Sequence, residues 1–162
     1  AAMKKIHEEY PTIRLEIAGR FNDGGYYEEL KKLIDQNRLG DSVKFLGERS
    51  GPDLIELYQN CAVFVFPSTV ETFGNPLAEA MACGAPIAAS NAAVMPEIVG
   101  DSATFFDPLN ADDMARQIVT YLQKPEFAQR MGAKGRVRSK MFSWPETARR
   151  TSEILIASVR NG

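Results

Sequence analysis

Two glutamates, Glu71 and Glu79, bracket the turn Phe73-Gly74-Asn75-Pro76 in the stretch ETFGNPLAEAMACG, residues 71–84. Asn75 is expected to cap a helix, and Pro76 suits the first helical position, where its missing N–H costs nothing. Gly74 removes the side chain just before that cap, so a ligand can approach the backbone. The N–H groups and positive end of the helix then make an anion site suited to phosphate. Glu79 lies about one turn into the helix and Glu71 in the loop before it. An ionised carboxylate accepts two hydrogen bonds from a diol, so both positions suit sugar hydroxyls. N–H donors for phosphate beside acceptors for hydroxyls are what a nucleotide sugar requires. A plainer reading fits the same spacing, with Glu79 complementing the helix dipole and Glu71 a solvated loop acid. The residues alone leave both open. SNAAVMPE (90–97) has the same logic: Ser90 and Asn91 as caps of a helix carrying Glu97, or an ordinary turn.

Other chemistries find less support. GRFNDGG (19–25) suggests a phosphate loop, but Gly25 and Tyr26 stand where Lys and Ser/Thr are required. No Gly-x-Gly-x-x-Gly follows a candidate strand. His7 is the only histidine and reads as a surface residue, so Ser-His-Asp catalysis is a poor fit. Cys61 and Cys83 sit in apolar settings and read as free buried thiols of a reducing compartment. Two thiols and one histidine, far apart in sequence, do not make a metal pattern, and no Asp-x-Asp is present.

The elements that must position the glutamates alternate along the chain. Apolar runs at 13–19, 42–47, 62–68, 85–90 and 103–107 read as strands. The run at 62–68 is apolar throughout, as in a strand covered on both faces. Between them lie helical patterns. That at 26–40 carries Tyr27, Leu30, Leu33 and Ile34 on one stripe, with Gly40 as its stop. That at 51–60 turns Leu54, Leu57 and Tyr58 inward. The β-α-β order predicts an α/β fold, a Rossmann-like parallel sheet flanked by helices. Loops after the first four strands are expected on one edge, where such sheets bind ligands. Residues 1–142 are expected to form this domain and 143–162 a C-terminal helix. Ala1 already lies inside a helical pattern, so the chain reads as a piece of something larger.

Length and composition agree. The chain has 162 residues, 44% apolar and 25% charged, with a net charge of -2. That suits one soluble domain and offers no basic footprint for nucleic acid. No apolar run approaches the roughly 20 residues that span a bilayer, and no signal peptide is expected.

Taken together, FPSTVETFGNPLAEAMACGAPIAASNAAVMPEIVGDSATFFDPLNADDMARQI resembles the C-terminal domain of group 1 glycosyltransferases, a retaining nucleotide-sugar family with the GT-B fold. The carrier is a Glu, seven residues, then a Glu, here Glu71 and Glu79. Pro67-Ser68, Phe73-Gly74, EAMACG and Asp107-Pro108 stand around it, and FSWPETARR looks like the family's last helix. The resemblance implies one half of a GT-B fold. It implies that Glu79 holds the ribose hydroxyls and that Glu71, at the catalytic position, binds a hydroxyl of the donor sugar. The backbone at Phe73, Gly74 and Asn75 would contact the sugar, and that near Leu77 the diphosphate. Gly47, Glu48 and Arg49 would lie near the base.

The resemblance further implies a UDP-, GDP- or ADP-sugar as substrate, with no separate cofactor and no metal. The acceptor, a glycan, lipid or small molecule, would be bound by an N-terminal domain preceding Ala1. So would the Arg and Lys that neutralise the leaving diphosphate; Arg20 is a weaker stand-in. A cytoplasmic location, with peripheral association at the inner membrane surface, is expected of the longer protein. Two alternatives stand beside transfer by this donor-binding fragment. One is a stand-alone nucleotide-sugar-binding or regulatory module. The other is an epimerase, for which one histidine supplies little acid–base chemistry.

Overall fold

The computed structural model describes residues 1–20 and 23–160, so Phe21 and Asn22 of the GRFNDGG loop and the final two residues of the predicted C-terminal helix lie outside the described residues. The elements run α1 (Ala2–Glu9), β1 (Leu15–Ala18), α2 (Gly24–Gln36), β2 (Val43–Gly47), α3 (Gly51–Asn60), β3 (Phe64–Phe66), α4 (Asn75–Cys83), β4 (Ile87–Ser90) and α5 (Met95–Val99). A 3₁₀ turn (Gly100–Ser102) then leads to β5 (Ala103–Phe106), α6 (Ala111–Gln123), α7 (Pro125–Ser139) and α8 (Trp144–Arg160). All five expected strands are present, each shorter than its apolar run.

Every strand pairing is parallel, but the strands form two sheets where one was expected. β1 pairs with β2, from Leu15 opposite Val43 to Ala18 opposite Gly47. β4 sits between β3 and β5, with Ile87 opposite both Phe64 and Ala103. Among the described residues no ladder joins β1 to β3.

β4 explains the core. Its four residues are all buried, and small side chains let helices close on both faces. On one face Ile87 and Ala89 pack with Leu77, Met81, Met95 and Val99. On the other, Ala88 packs with Phe106, Ile118, Tyr121 and Ile6. Helices therefore cover both sides, and β3 divides the same way, Phe64 and Phe66 to the first cluster and Val65 to the second. Tyr121 ties helix to sheet: its hydroxyl donates to Ile87 O at 2.6 Å and accepts from Thr104 N at 3.1 Å. Tyr121→Phe removes both bonds from a buried place. It is expected to cost about 1–3 kcal/mol, read as a lowered denaturant midpoint at constant slope.

α7 fixes the far end of α4. Gly84, at φ 78°, ends α4 in the left-handed region and donates its N–H back to Ala80 and Met81 carbonyls. Arg136 donates from Nη2 to Cys83 O at 2.9 Å, and Arg138 from Nε to Ile98 O at 2.6 Å. Basic side chains thus meet the negative ends of α4 and α5. Gly132 lets the helices touch: a Cβ there would lie 2.2 Å from Gly84 O.

One helix and the histidine differ from expectation. α2 buries no residue. Leu33 is exposed, and the helix stops at Asn37 rather than Gly40. Its start is set by Asp23, whose side chain accepts from Gly25 and Tyr26 N–H. α8 leaves Trp144, Ile154, Leu155 and Val159 exposed. Its own ion pairs run Arg149 to Glu146 and Glu153, and Arg150 to Glu146. Hydrogen bonds from Arg149 and then Arg150 hold the Glu146 carboxyl down at about 2. His7 is half-buried, with Nδ1 3.1 Å from Ser42 Oγ, not the free surface residue expected.

Candidate functional site

The loop after β3 and the start of α4 hold both glutamates. Gly74, at φ 78° and ψ 59°, is itself the N-cap, and Asn75 is the first helical residue. This corrects the expected Asn75 cap: no side chain caps the helix. The left-handed turn explains it. A Cβ on residue 74 would meet Leu77 Cδ1 at 3.3 Å and Phe66 Cε1 at 3.6 Å. Only glycine takes both the backbone angle and the close approach. Gly74 O accepts from Leu77 N at 2.9 Å. The Leu77 amide is therefore engaged and its side chain fully buried. What this position offers an anion is the helix N-terminus around it.

Glu79 is the fifth residue of α4, and no acidic residue occupies the first turn. The macrodipole acts within that turn, so dipole complementation is a poor account of Glu79. The side chain is exposed, with Oε2 accepting from Tyr58 Oη at 3.2 Å. Tyr58 comes from α3, is buried, and meets the Phe64 ring edge-on, with centroids 5.2 Å apart. Burial first, and the Glu79 charge second, push its phenol pKa up, so it stays a proton donor.

Glu71 is half-buried, and Oε1 accepts from Ser68 Oγ at 3.1 Å. Ser90, at the end of β4, donates to Ser68 O at 2.6 Å and accepts from Ala92 N at 3.2 Å. Ser90 is therefore not a helix cap. α5 starts after Val94, and neither Ser90 nor Asn91 caps it. Glu97 does lie in the first turn of α5, and it is exposed. Phe73, beside the cap, is 37% exposed and meets Phe142 edge-on, with centroids 5.5 Å apart. Asn75 is exposed.

Gly47 closes β2 and Glu48 and Arg49 follow it, on a different loop from the glutamates. Gly47 has φ 70°. Glu48 accepts from Arg20 Nε at 2.6 Å, which joins the loops after β1 and β2. That ion pair engages the arginine considered for a phosphate role. Arg49 lines an open cleft of about 440 Å³ with Glu16, Asp53, Leu57 and Cys61. Glu71 and Glu79 are not among its walls. The structure thus brings the predicted residues together as two groups, the glutamate turn and the 47–49 turn. α3 runs between them, starting after Ser50 and reaching Glu79 through Tyr58.

Sequence reasoning missed Tyr58, Ser68 and Ser90 as partners of the site. Tyr58 was read only as a core residue. The signal in Ser90 was a hydroxyl ending an otherwise apolar buried strand, which needs a partner. The two thiols are free and half-buried, more open than expected. Burial pushes Cys61 up to about 11, which leaves it unreactive. No His, Cys, Asp or Glu cluster able to hold a metal occurs among the described residues, and no described helix is long and apolar enough to cross a membrane.

A left-handed glycine opening a helix, flanked by two tethered carboxylates, sits here on a parallel α/β layer. The family of group 1 glycosyl transferases matches residues 1–138, and the chain belongs to that family. It is 34% identical over 122 residues to the O-antigen chain mannosyltransferase B of Escherichia coli, covering 75% of this chain and 32% of that protein. It is 30% identical over 147 residues to the sulfoquinovosyl transferase SQD2 of Arabidopsis thaliana, covering 88% and 28%. Among solved structures, sucrose-phosphate synthase from Thermosynechococcus elongatus superposes with a TM-score of 0.88 at 27% identity, covering 99% of this chain and 42% of that one. Anabaena HepE, in complex with UDP and glucose, superposes at 0.87 and 25% identity, covering 96% and 44%. These neighbours are GT-B glycosyltransferases. The chain spans about a third or less of the length of the curated relatives it matches and under half of the solved ones.

Proposed function

We propose that this chain is the donor-binding part of a retaining, hexosyl-type glycosyltransferase. The observation that carries the reading is the pair of exposed-to-half-buried carboxylates around the Gly74 helix start, each already held by one protein hydroxyl. A carboxylate with one oxygen tethered presents the other in a set direction. Glu79 then takes the ribose hydroxyls, Glu71 a hydroxyl of the donor sugar, and the α4 N-terminus the diphosphate. The 47–49 turn takes the base. UDP and glucose in the HepE structure support a nucleoside diphosphate as the ligand class.

The mechanism follows from charge. Breaking the glycosyl–phosphate bond develops positive charge at the anomeric carbon and negative charge on the leaving diphosphate. The α4 N-terminus stabilises the latter. Glu71 and Glu79 act as binding groups, not as the acid and nucleophile of a glycosidase. Acceptor binding, and the basic pair that completes neutralisation of the diphosphate, belong to the remainder of the enzyme. A cytoplasmic location is part of the same proposal.

Calorimetric titration with UDP, GDP, ADP and their sugar conjugates tests it. The expected result is weak binding of one base family by this chain, tighter binding by the longer protein, and little transfer by the chain alone. No binding of any of them by the longer protein would overturn the site. Robust transfer by the isolated chain would overturn the assigned division of labour.

A further inference from the structure

We propose that Ser68 is a positioning residue for Glu71 and that Ser90 holds Ser68 in place, a two-hydroxyl relay that aims the sugar end of the site. The inference rests on the donor-binding reading for its consequence, though not for its geometry. β3 and β4 are paired neighbours, with Phe66 opposite Ala89, so their C-terminal loops leave the ladder side by side. Ser90 is the last residue of β4 and is fully buried. Its hydroxyl donates to Ser68 O at 2.6 Å and accepts from Ala92 N at 3.2 Å. Donor and acceptor are both engaged, so the hydroxyl has one orientation. The bond pins the carbonyl of Ser68 across to β4 and fixes where the loop after β3 begins.

Ser68 then turns its own hydroxyl on Glu71. The distance to Oε1 is 3.1 Å, and an ionised carboxylate only accepts, so the direction of donation is settled. Among the described residues, Glu71 Oε2 has no partner, which leaves that oxygen for a ligand. The need for such a tether is plain from the surroundings. Val70, one residue before Glu71, is 81% exposed, and glutamate is among the side chains with most rotamer freedom to lose. Without the relay a ligand would have to order Glu71 on arrival. The rest of β4 is Ile-Ala-Ala, and a hydroxyl there is costly unless bonded. The bond it makes serves the loop carrying Glu71.

The test uses Ser68→Ala, Ser90→Ala and the conservative Ser68→Thr, with two readouts. The first needs no ligand: three-bond couplings that report the χ1 rotamer of a labelled Glu71. One rotamer is expected in the parent chain and in Ser68→Thr, and averaged couplings in both alanine variants. The second is the ratio of affinities for a sugar conjugate and its bare diphosphate, measured for UDP, GDP and ADP each paired with its glucose and mannose conjugates. That ratio is expected to fall about three- to tenfold in the alanine variants, the range of one hydrogen bond. A general loss of structure lowers both affinities together and leaves the ratio in place. Averaged couplings in the parent chain, or unchanged couplings in Ser68→Ala, would overturn the relay. If Ser90→Ala does not fold, Ser68→Ala alone decides. Couplings that respond as expected while no conjugate binds better than its diphosphate would uphold the relay and overturn the donor-binding reading instead.

Discussion

Glu79→Ala is expected to weaken nucleoside diphosphate binding by about 10- to 100-fold, because a charge-assisted hydrogen bond contributes about 1.5–3 kcal/mol and each 1.4 kcal/mol is tenfold. The side chain is exposed on the second turn of α4, and alanine is the better helix former, so the helix itself is not at risk. The protein-side cost falls on Tyr58, whose buried hydroxyl loses its acceptor. Glu79→Gln separates the two effects. Its amide oxygen still accepts from Tyr58, so stability is expected to return. Its amide nitrogen cannot accept from a ribose hydroxyl, and the charge is gone, so affinity is not. Titration calorimetry on the parent and both variants, beside a thermal melt of each, distinguishes these outcomes. Equal affinity in all three proteins would remove Glu79 from the site. Full recovery of affinity in Glu79→Gln would show that orienting Tyr58, rather than meeting the ligand, is its role.

Gly132→Ala is expected to be the most damaging small substitution in the chain. A glycine to alanine change inside an exposed helix ordinarily stabilises by about 1 kcal/mol. Here the added Cβ would stand 2.2 Å from Gly84 O and 3.2 Å from Gly84 C, both backbone atoms. They belong to the left-handed cap of α4 and cannot yield as a side chain tip would. α7 must back away from α4, loosening the Arg136 bond to Cys83 O with it. Overpacking of this kind costs about 1–3 kcal/mol, which outweighs the helix gain. The net loss is then up to about 2 kcal/mol, and at about 2–4 °C per kcal/mol for a domain of this size a fall in Tm of up to about 4–8 °C is expected by calorimetry. Gly135→Ala is the internal comparison. Its Cβ would meet Met81 Cγ at 3.4 Å and Met81 Cα at 3.5 Å, both ordinary van der Waals contacts. It is expected to be neutral or mildly stabilising. Similar melts for the two variants would mean the helices are not held as closely as the structure shows.

Five strands and the helices between them were legible because their apolar periods are strong. The order of α4 and β4 around Gly84 follows directly from NPLAEAMACGAPIAAS. Details set by tertiary geometry were not. Asn75 and Gly74 are both good cap residues, and the choice went to Gly74 because Phe66 and Leu77 crowd that point. α2 shows a stripe of apolar residues, yet Leu33 is exposed because no described element covers it. The glutamate pair was visible in the sequence, and its roles came with the family resemblance. Its tethers were not visible, since Tyr58 is 21 residues from Glu79, and Ser90 is 22 from Ser68. Such pairs need the fold before they can be seen.

The break between the two sheets has a consequence for how the molecule loosens. Among the described residues β1 and β2 share no strand pairing with β3, β4 and β5, so ladder hydrogen bonding stops at the boundary. Side-chain ties such as His7 to Ser42, and the packing of α3 on α4, carry the connection instead. Stability in proteins is distributed in cooperative units, and a ladder boundary is where such units part. The 47–49 turn stands on one unit and both glutamates on the other. A ligand that touched both turns would act as a splint, and part of its binding free energy would appear as rigidity of the first unit rather than as affinity.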